Sequence, residues 1–121
     1  MVEVIEAIKK FQKELNGGTA ALVLLGVLDK ADGPMYGYQI AKLIESRSRD
    51  VDIGKQGALY PVLRSLESVG LLESEVEPSV SGPPRRYYRI TGPGRETLAR
   101  WREIWGQTRD LVDAVLKGDD K

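Results

Sequence analysis

Polar side chains that can bind nucleic acid occur along the stretch KQGALYPVLRSLESVGLL, residues 55–72. Lys55 and Gln56 open the stretch, and Arg64 lies two helical turns into it. Lysine and arginine bind phosphate oxygens, while glutamine and arginine also form paired hydrogen bonds with base edges. If these residues share one exposed helix face, that face is chemically suited to double-stranded DNA.

The same stretch has the periodicity of an amphipathic helix, which we place at residues 57–69. At 100° per residue its apolar side chains cluster on one side: Leu59, Val62, Leu63, Leu66 and Val69. The opposite side carries Gly57, Pro61, Arg64 and Ser68, and Tyr60 lies on the flank. Pro61 fits near the start of this helix because the first helical N–H groups have no partner within the helix.

Three further helices are predicted before this one. Residues 3–15 have an amphipathic pattern that we expect Gly17-Gly18 to end. Thr19 is the expected N-cap of a second, largely apolar helix that ends at Leu28. A third helix is predicted at residues 36–48.

A β-hairpin and a long helix are predicted to follow. Alternating patterns indicate strands at residues 71–77 and 85–91, joined by a loop rich in Pro, Gly and Ser. The last helix, from about Gly94 to Leu116, has apolar residues at alternating steps of three and four, as coiled coils do. This order predicts a mainly α fold with a small β-hairpin: a winged helix-turn-helix DNA-binding domain at 1–92 and a dimerisation helix at 93–121.

The sequence resembles the PadR family of bacterial transcriptional regulators, in its small subfamily with a single C-terminal helix. The matching motifs are 37-GYQI-40, 57-GALYPVLRSLESVGLL-72, 86-RYYRIT-91 and the glycines at 92 and 94. The resemblance covers about residues 19–95. It implies a homodimeric, sequence-specific DNA-binding regulator, which we expect to be a repressor acting on an operator in the cytoplasm.

The predicted DNA-binding residues combine the helix chemistry with this resemblance, which places Tyr60 at the DNA surface and the helix bearing Tyr38 across the phosphate backbone. They are Tyr38, Lys42, Lys55, Gln56, Gly57, Tyr60, Arg64, Ser79, Ser81 and Arg86. For Tyr38 and Tyr60 the alternative is packing on the core. The hairpin has a second alternative, because its glutamates can pair with Arg85 and Arg89 across the strands and neutralise part of the basic patch.

Trp101 and Trp105 lie one turn apart in the last helix, with Leu98 and Thr108 at the same spacing. The first interpretation is a dimer core, because tryptophan buries a large area in interfaces. The second comes from the resemblance: some small PadR-like regulators bind flat aromatic compounds between tryptophans at the dimer centre. The residues alone leave both open, so an aromatic small molecule is a candidate effector.

Composition narrows the remaining function classes. The 121 residues include no cysteine and no histidine, which excludes thiolate and imidazole chemistry. We therefore expect no enzyme and no cofactor. The longest apolar run is too short for a membrane span, so we expect no membrane association. Eighteen basic and 18 acidic residues give a net charge of zero, which favours the alternative function, a winged helix that binds another protein without DNA.

Overall fold

The structure is a computed structural model that describes residues 2–48 and 56–118. Its elements are α1 (Val2–Lys30), β1 (Met35–Tyr36), α2 (Gly37–Arg47), α3 (Gln56–Ser68), β2 (Leu72–Glu77), β3 (Arg85–Ile90) and α4 (Gly92–Lys117). The three strands form an antiparallel sheet in the order β1-β3-β2. The predicted mainly α fold with a β-hairpin is confirmed, and β1 adds a third strand that the sequence did not indicate.

The first helix is continuous, so the predicted break at Gly17-Gly18 is wrong. α1 runs through both glycines for 29 residues, or about 44 Å at 1.5 Å per residue. The Thr19 hydroxyl donates to the carbonyl oxygen of Leu15 at 2.9 Å, a bond inside the helix and not an N-cap. Each glycine costs a helix about 1 kcal/mol relative to alanine, which is small beside the burial of the apolar second half of α1.

The core lies where the second half of α1 meets α2, α3, the sheet and the start of α4. Its buried side chains are Leu24, Leu25, Leu28, Ile40, Ala41, Ile44, Leu59, Leu63, Leu66, Leu72, Tyr88, Ile90 and Leu98. The inward positions predicted for α3 are confirmed at its three leucines, and α2 buries Ile40 and Ile44 in the same core. Val62 is only half-buried, and Val69, which follows the last residue of α3, is exposed.

The hairpin has the predicted alternation of faces. Across β2 and β3, Glu73 lies opposite Arg89, and Glu77 lies opposite Arg85. The Arg89 Nε donates to Glu73 Oε1 at 2.8 Å, which confirms cross-strand charge pairing at this position. On the other side of β3, Tyr36 of β1 lies opposite Tyr87.

Thr91 and Gly94 fix the start of α4. The Thr91 hydroxyl accepts a hydrogen bond from the Gly94 N–H at 3.0 Å and donates to the Gly70 carbonyl oxygen at 2.8 Å. A Cβ at Gly94 would lie 2.7 Å from Cγ1 of Ile90 and would collide with the carbonyl oxygen of Leu71. The capping bond starts α4 at Gly92, two residues before the predicted position, and the close approach requires glycine at 94.

Candidate nucleic-acid interface

The polar face of α3 is left uncovered by the rest of the described chain. Leu59, Leu63 and Leu66, on the opposite face, are at most 5% exposed. The exposed residues are Ala58, Pro61, Arg64, Ser65 and Ser68. Because the buried leucines fix the rotation of the helix about its axis, Arg64 projects from the outer face, as the helical periodicity predicts.

Tyr60 lies between the core and the surface, and its ring packs against Gly37 at the start of α2. A Cβ at Gly37 would lie 2.7 Å from both Cζ and Oη of the Tyr60 ring, and it would overlap another ring carbon. Gly37 is buried and Tyr60 is half-buried. The predicted alternative of a packed ring is therefore what the structure has, and a phosphate contact by the Tyr60 hydroxyl stays a prediction.

Tyr38 and Lys42 lie together on the exposed side of α2. The Tyr38 side chain is 47% exposed, and the Lys42 Nζ lies 5.6 Å from the centroid of its ring. The Tyr38 ring also stacks on Tyr36, with 6.3 Å between centroids and 20° between planes. The Lys42 ammonium group thus lies over the exposed Tyr38 ring, and lysine and tyrosine side chains both bind phosphate oxygens.

Arg86 connects the hairpin to α3. Its Nη1 donates to the Ser74 hydroxyl at 2.9 Å, and that hydroxyl donates to Oε2 of Glu67 at 2.6 Å. Close by, burial raises the pKa of Tyr88, and the Glu67 carboxylate raises it further. The positive charge of Arg86 is partly offset by Glu67, so the structure gives Arg86 a bridging position between β3 and α3.

The remaining predicted DNA-binding residues fall in three places. Gln56 and Gly57 are the first two residues of α3. Ser79 and Ser81 lie in the loop that joins β2 to β3, the tip of the hairpin. Lys55 lies outside the described residues.

Sequence reasoning missed Arg85 and its aromatic neighbours. The Cζ of Arg85 lies 4.6 Å from the centroid of the Tyr36 ring, and the Tyr87 ring meets Tyr36 edge-on at 5.4 Å. The sequence suggested that Arg85 pairs with a glutamate of the hairpin. Among the described residues, Arg85 takes part in no ion pair, although Glu77 is its partner in the strand register.

A groove of about 400 Å³ lies between α1 and α4. It is lined by Glu14, Leu15, Gly18, Thr19, Leu22, Trp101, Ile104, Trp105 and Thr108. The structure therefore brings together three of the four residues predicted for an effector site or dimer core. Leu98 does not join them, because it is only 5% exposed and belongs to the chain's own core.

Both helices of the groove carry exposed apolar side chains along their length. On α1 these are Val4, Ile5, Ile8, Phe11 and Leu15, and on α4 they are Ile104, Trp105, Leu111, Val112, Val115 and Leu116. All of them are at least 40% exposed. Large apolar surfaces that stay exposed in a folded chain commonly mark a protein interface or a binding groove.

The described residues contain neither a candidate metal cluster nor a candidate membrane span. No group of three or more acidic side chains there is arranged to hold a metal ion. No helix in the described ranges combines the length and the apolar composition needed to cross a membrane.

Comparison with known proteins shows which class of protein has this fold and surface. Residues 24–100 match the Transcriptional regulator PadR-like family. The transcriptional regulator Rv3488 of Mycobacterium tuberculosis is 38% identical over 99 residues, which is 81% of this chain and 86% of that protein. The fold is therefore that of a winged-helix transcriptional regulator, and the chain belongs to the PadR-like family, as its motifs predict.

Solved structures agree with this assignment. The crystal structure of a PadR family transcriptional regulator from Eggerthella lenta has a TM-score of 0.73 and 32% identity, covering 100% of this chain and 99% of that one. A transcriptional regulator from Clostridium thermocellum has a TM-score of 0.72 and 27% identity, covering 83% and 92%. Enzymatic activity is not typical of this family.

The contact between Gly37 and Tyr60 can be tested by substitution. Gly37→Ala should lower the free energy of unfolding by about 1–3 kcal/mol, because its Cβ overlaps the Tyr60 ring. Tyr60→Leu removes the ring, so the double variant should lose less stability than the two single losses added together. Urea denaturation measures all three, with Gly33→Ala as control because nothing lies within 4 Å of a Cβ there. Additive losses would show that the two residues do not constrain each other.

Proposed function

We propose that this protein is a dimeric, sequence-specific DNA-binding repressor that acts in the cytoplasm and inserts α3 into the major groove of its operator. The observation that supports this most directly is the polar face of α3, which is exposed while its leucine face is buried. Helix-turn-helix proteins use the second helix of the motif in this way. Repression is proposed because a regulator that occupies an operator needs no further contact to block transcription.

The charges of the described surface suit a DNA complex in spite of the net charge of zero. Three basic side chains are exposed on α3 and on the two elements beside it: Arg64 on α3, Lys42 on α2 and Arg85 on β3. Contacts from such residues to phosphates release counterions, so affinity falls steeply as salt concentration rises. Net charge is a sum over the whole chain, and this local arrangement is what a duplex would meet.

The dimer is proposed to form through α1 and α4. Their exposed apolar side chains recur mostly at steps of three, four and seven, the pattern by which helices pack along a common seam. A second copy would cover both stripes in a two-fold symmetric interface. In this proposal the first half of α1 acts with α4, although the sequence grouped residues 3–15 with the DNA-binding domain.

The groove beside Trp101 and Trp105 is the proposed site for a planar, hydrophobic effector. The two indole rings offer stacking surfaces, and Leu15, Leu22 and Ile104 complete an apolar lining. A ligand that favours one separation of α1 and α4 shifts the population of dimers toward that separation. DNA binding depends on the distance between the two α3 helices, because they must meet half-sites about 34 Å apart. A ligand that changes this distance would therefore release the repressor from its operator.

DNA binding is tested with a duplex selected from random sequences. Arg64→Gln should weaken binding by about 1–3 kcal/mol, as expected for loss of one arginine contact to a base. Fluorescence anisotropy at several salt concentrations provides the measurement. Arg102→Gln removes the same charge from the exposed surface of α4 and should change affinity little. If no duplex is enriched even at low salt, a winged helix that binds another protein becomes the better explanation.

Dimerisation is tested by adding charge to the apolar stripes. Phe11→Asp and Val112→Asp each place a carboxylate on a proposed interface and should shift the protein from dimer to monomer in sedimentation experiments. Gln107→Asp, at an exposed polar position of α4, controls for the added charge itself. A wild-type chain that stays monomeric at high concentration would contradict the proposal.

Effector binding is tested at Gly18, which lines the groove but has nothing within 4 Å of its Cβ position. Gly18→Leu should narrow the groove from a position where an added Cβ meets no other atom, and it should weaken binding of planar aromatic dyes at least about tenfold. Binding of the dye is measured by the quenching of tryptophan fluorescence. Gly17→Leu makes the same change at a position that does not line the groove, and equal binding by the two variants would place the ligand elsewhere.

A further inference from the structure

Three tyrosine rings link the hairpin to the start of α2. We define the tyrosine cluster as Tyr36, Tyr38 and Tyr87. Tyr36 is its centre, because it stacks on Tyr38 at 6.3 Å and meets Tyr87 edge-on at 5.4 Å. Two cations flank the cluster: Lys42 lies over Tyr38, and Arg85 lies over Tyr36 at 4.6 Å. Side chains of α2 and of β3 therefore meet on one aromatic surface.

The three arginines of β3 have different partners. Arg89 is bound to the Glu73 carboxylate at 2.8 Å, and Arg86 donates to Ser74, which in turn binds Glu67. Arg85 lies over a ring instead, and no described carboxylate is close enough to form an ion pair with it. A guanidinium group held over an aromatic face keeps its N–H groups available for an oxygen acceptor. Of the three, Arg85 is the best prepared to bind a phosphate.

Tyr36 is itself held firmly. Its backbone pairs with Tyr87 across β1 and β3, and its N–H donates to Oε1 of Gln39 at 3.1 Å in the first turn of α2. The ring therefore has a fixed position relative to both α2 and β3. A side chain that rests on this ring loses less conformational freedom on binding than one that extends freely into water.

We propose that Tyr36 is a positioning residue that holds the Arg85 guanidinium for a contact with a DNA phosphate. This proposal rests on the DNA-binding function proposed above. Through the tyrosine cluster, the hairpin and α2 present Arg85 and Lys42 to the sugar-phosphate backbone as one unit. Tyr36 acts through Arg85 and need not touch DNA itself.

The alternative is that Tyr36 only stabilises the hairpin, and DNA binding under varied salt separates the two roles. With the selected duplex, Arg85→Gln should make the slope of log affinity against log salt shallower by about one per bound protomer. Tyr36→Leu should weaken affinity about two- to fivefold, and Tyr36→Phe, which keeps the ring, should bind like the wild type. In the Arg85→Gln background, Tyr36→Leu should have no further effect.

The controls distinguish the possible failures. Arg102→Gln removes a charge from α4 and should leave the salt slope unchanged. The inference is wrong if Arg85→Gln keeps the wild-type slope, or if the effects of Tyr36→Leu and Arg85→Gln multiply as independent losses. It is also wrong if Tyr36→Leu unfolds the protein and Tyr36→Phe binds as weakly as Arg85→Gln. A wild-type protein that binds no duplex at any salt concentration would instead overturn the proposed function, and this inference with it.

Discussion

Burial of the leucine face of α3 is the interaction on which the candidate interface depends. Leu59, Leu63 and Leu66 join the leucines of α1 in one core, and burying each side chain contributes about 1.5–3 kcal/mol relative to leaving it exposed. A rotation of α3 by one residue, or 100°, would bring polar side chains into this core at a much larger cost. The same burial therefore stabilises the fold and keeps Arg64 on the outside. The Tyr60 ring against Gly37 then sets how closely α3 approaches α2.

The helices and the hairpin were predictable where the periodicity of apolar residues was strong. Periodicity was not sufficient to predict that α1 is continuous or that β1 exists. Gly17-Gly18 is a sound local signal for a helix end, but the buried leucines that follow in α1 contribute more than two glycines cost. β1 has only two residues, so it has no period to detect. It exists because Met35 and Tyr36 pair with β3, a contact between segments that are far apart in sequence.

The sequence predicted which side chains of the candidate site are exposed better than it predicted which residues they contact. Helical spacing correctly placed Arg64 outside, because that position follows from geometry within one helix. Leu98 fits the same spacing as Trp101 and Trp105, but the start of α4 packs on its own chain and buries it. Strand alternation put Arg85 on the face shared with the glutamates, yet it could not indicate that Tyr36 would lie beneath its guanidinium. Periodicity identifies a face, and only the tertiary structure identifies what covers it.

The continuity of α1 also bears on how an effector could act on DNA binding. The groove residues Leu15, Gly18 and Leu22 lie on the same helix as Leu24 and Leu25, which pack in the core that holds α3. A rigid helix transmits a change of angle along its whole length, whereas a hinge at Gly17-Gly18 would absorb it. A ligand that moves α1 against α4 at the groove would therefore also move the core that positions α3. In the proposed mechanism the unbroken helix would make this coupling direct, because no loop intervenes between the proposed ligand site and the leucines of α1 that pack in the core with α3.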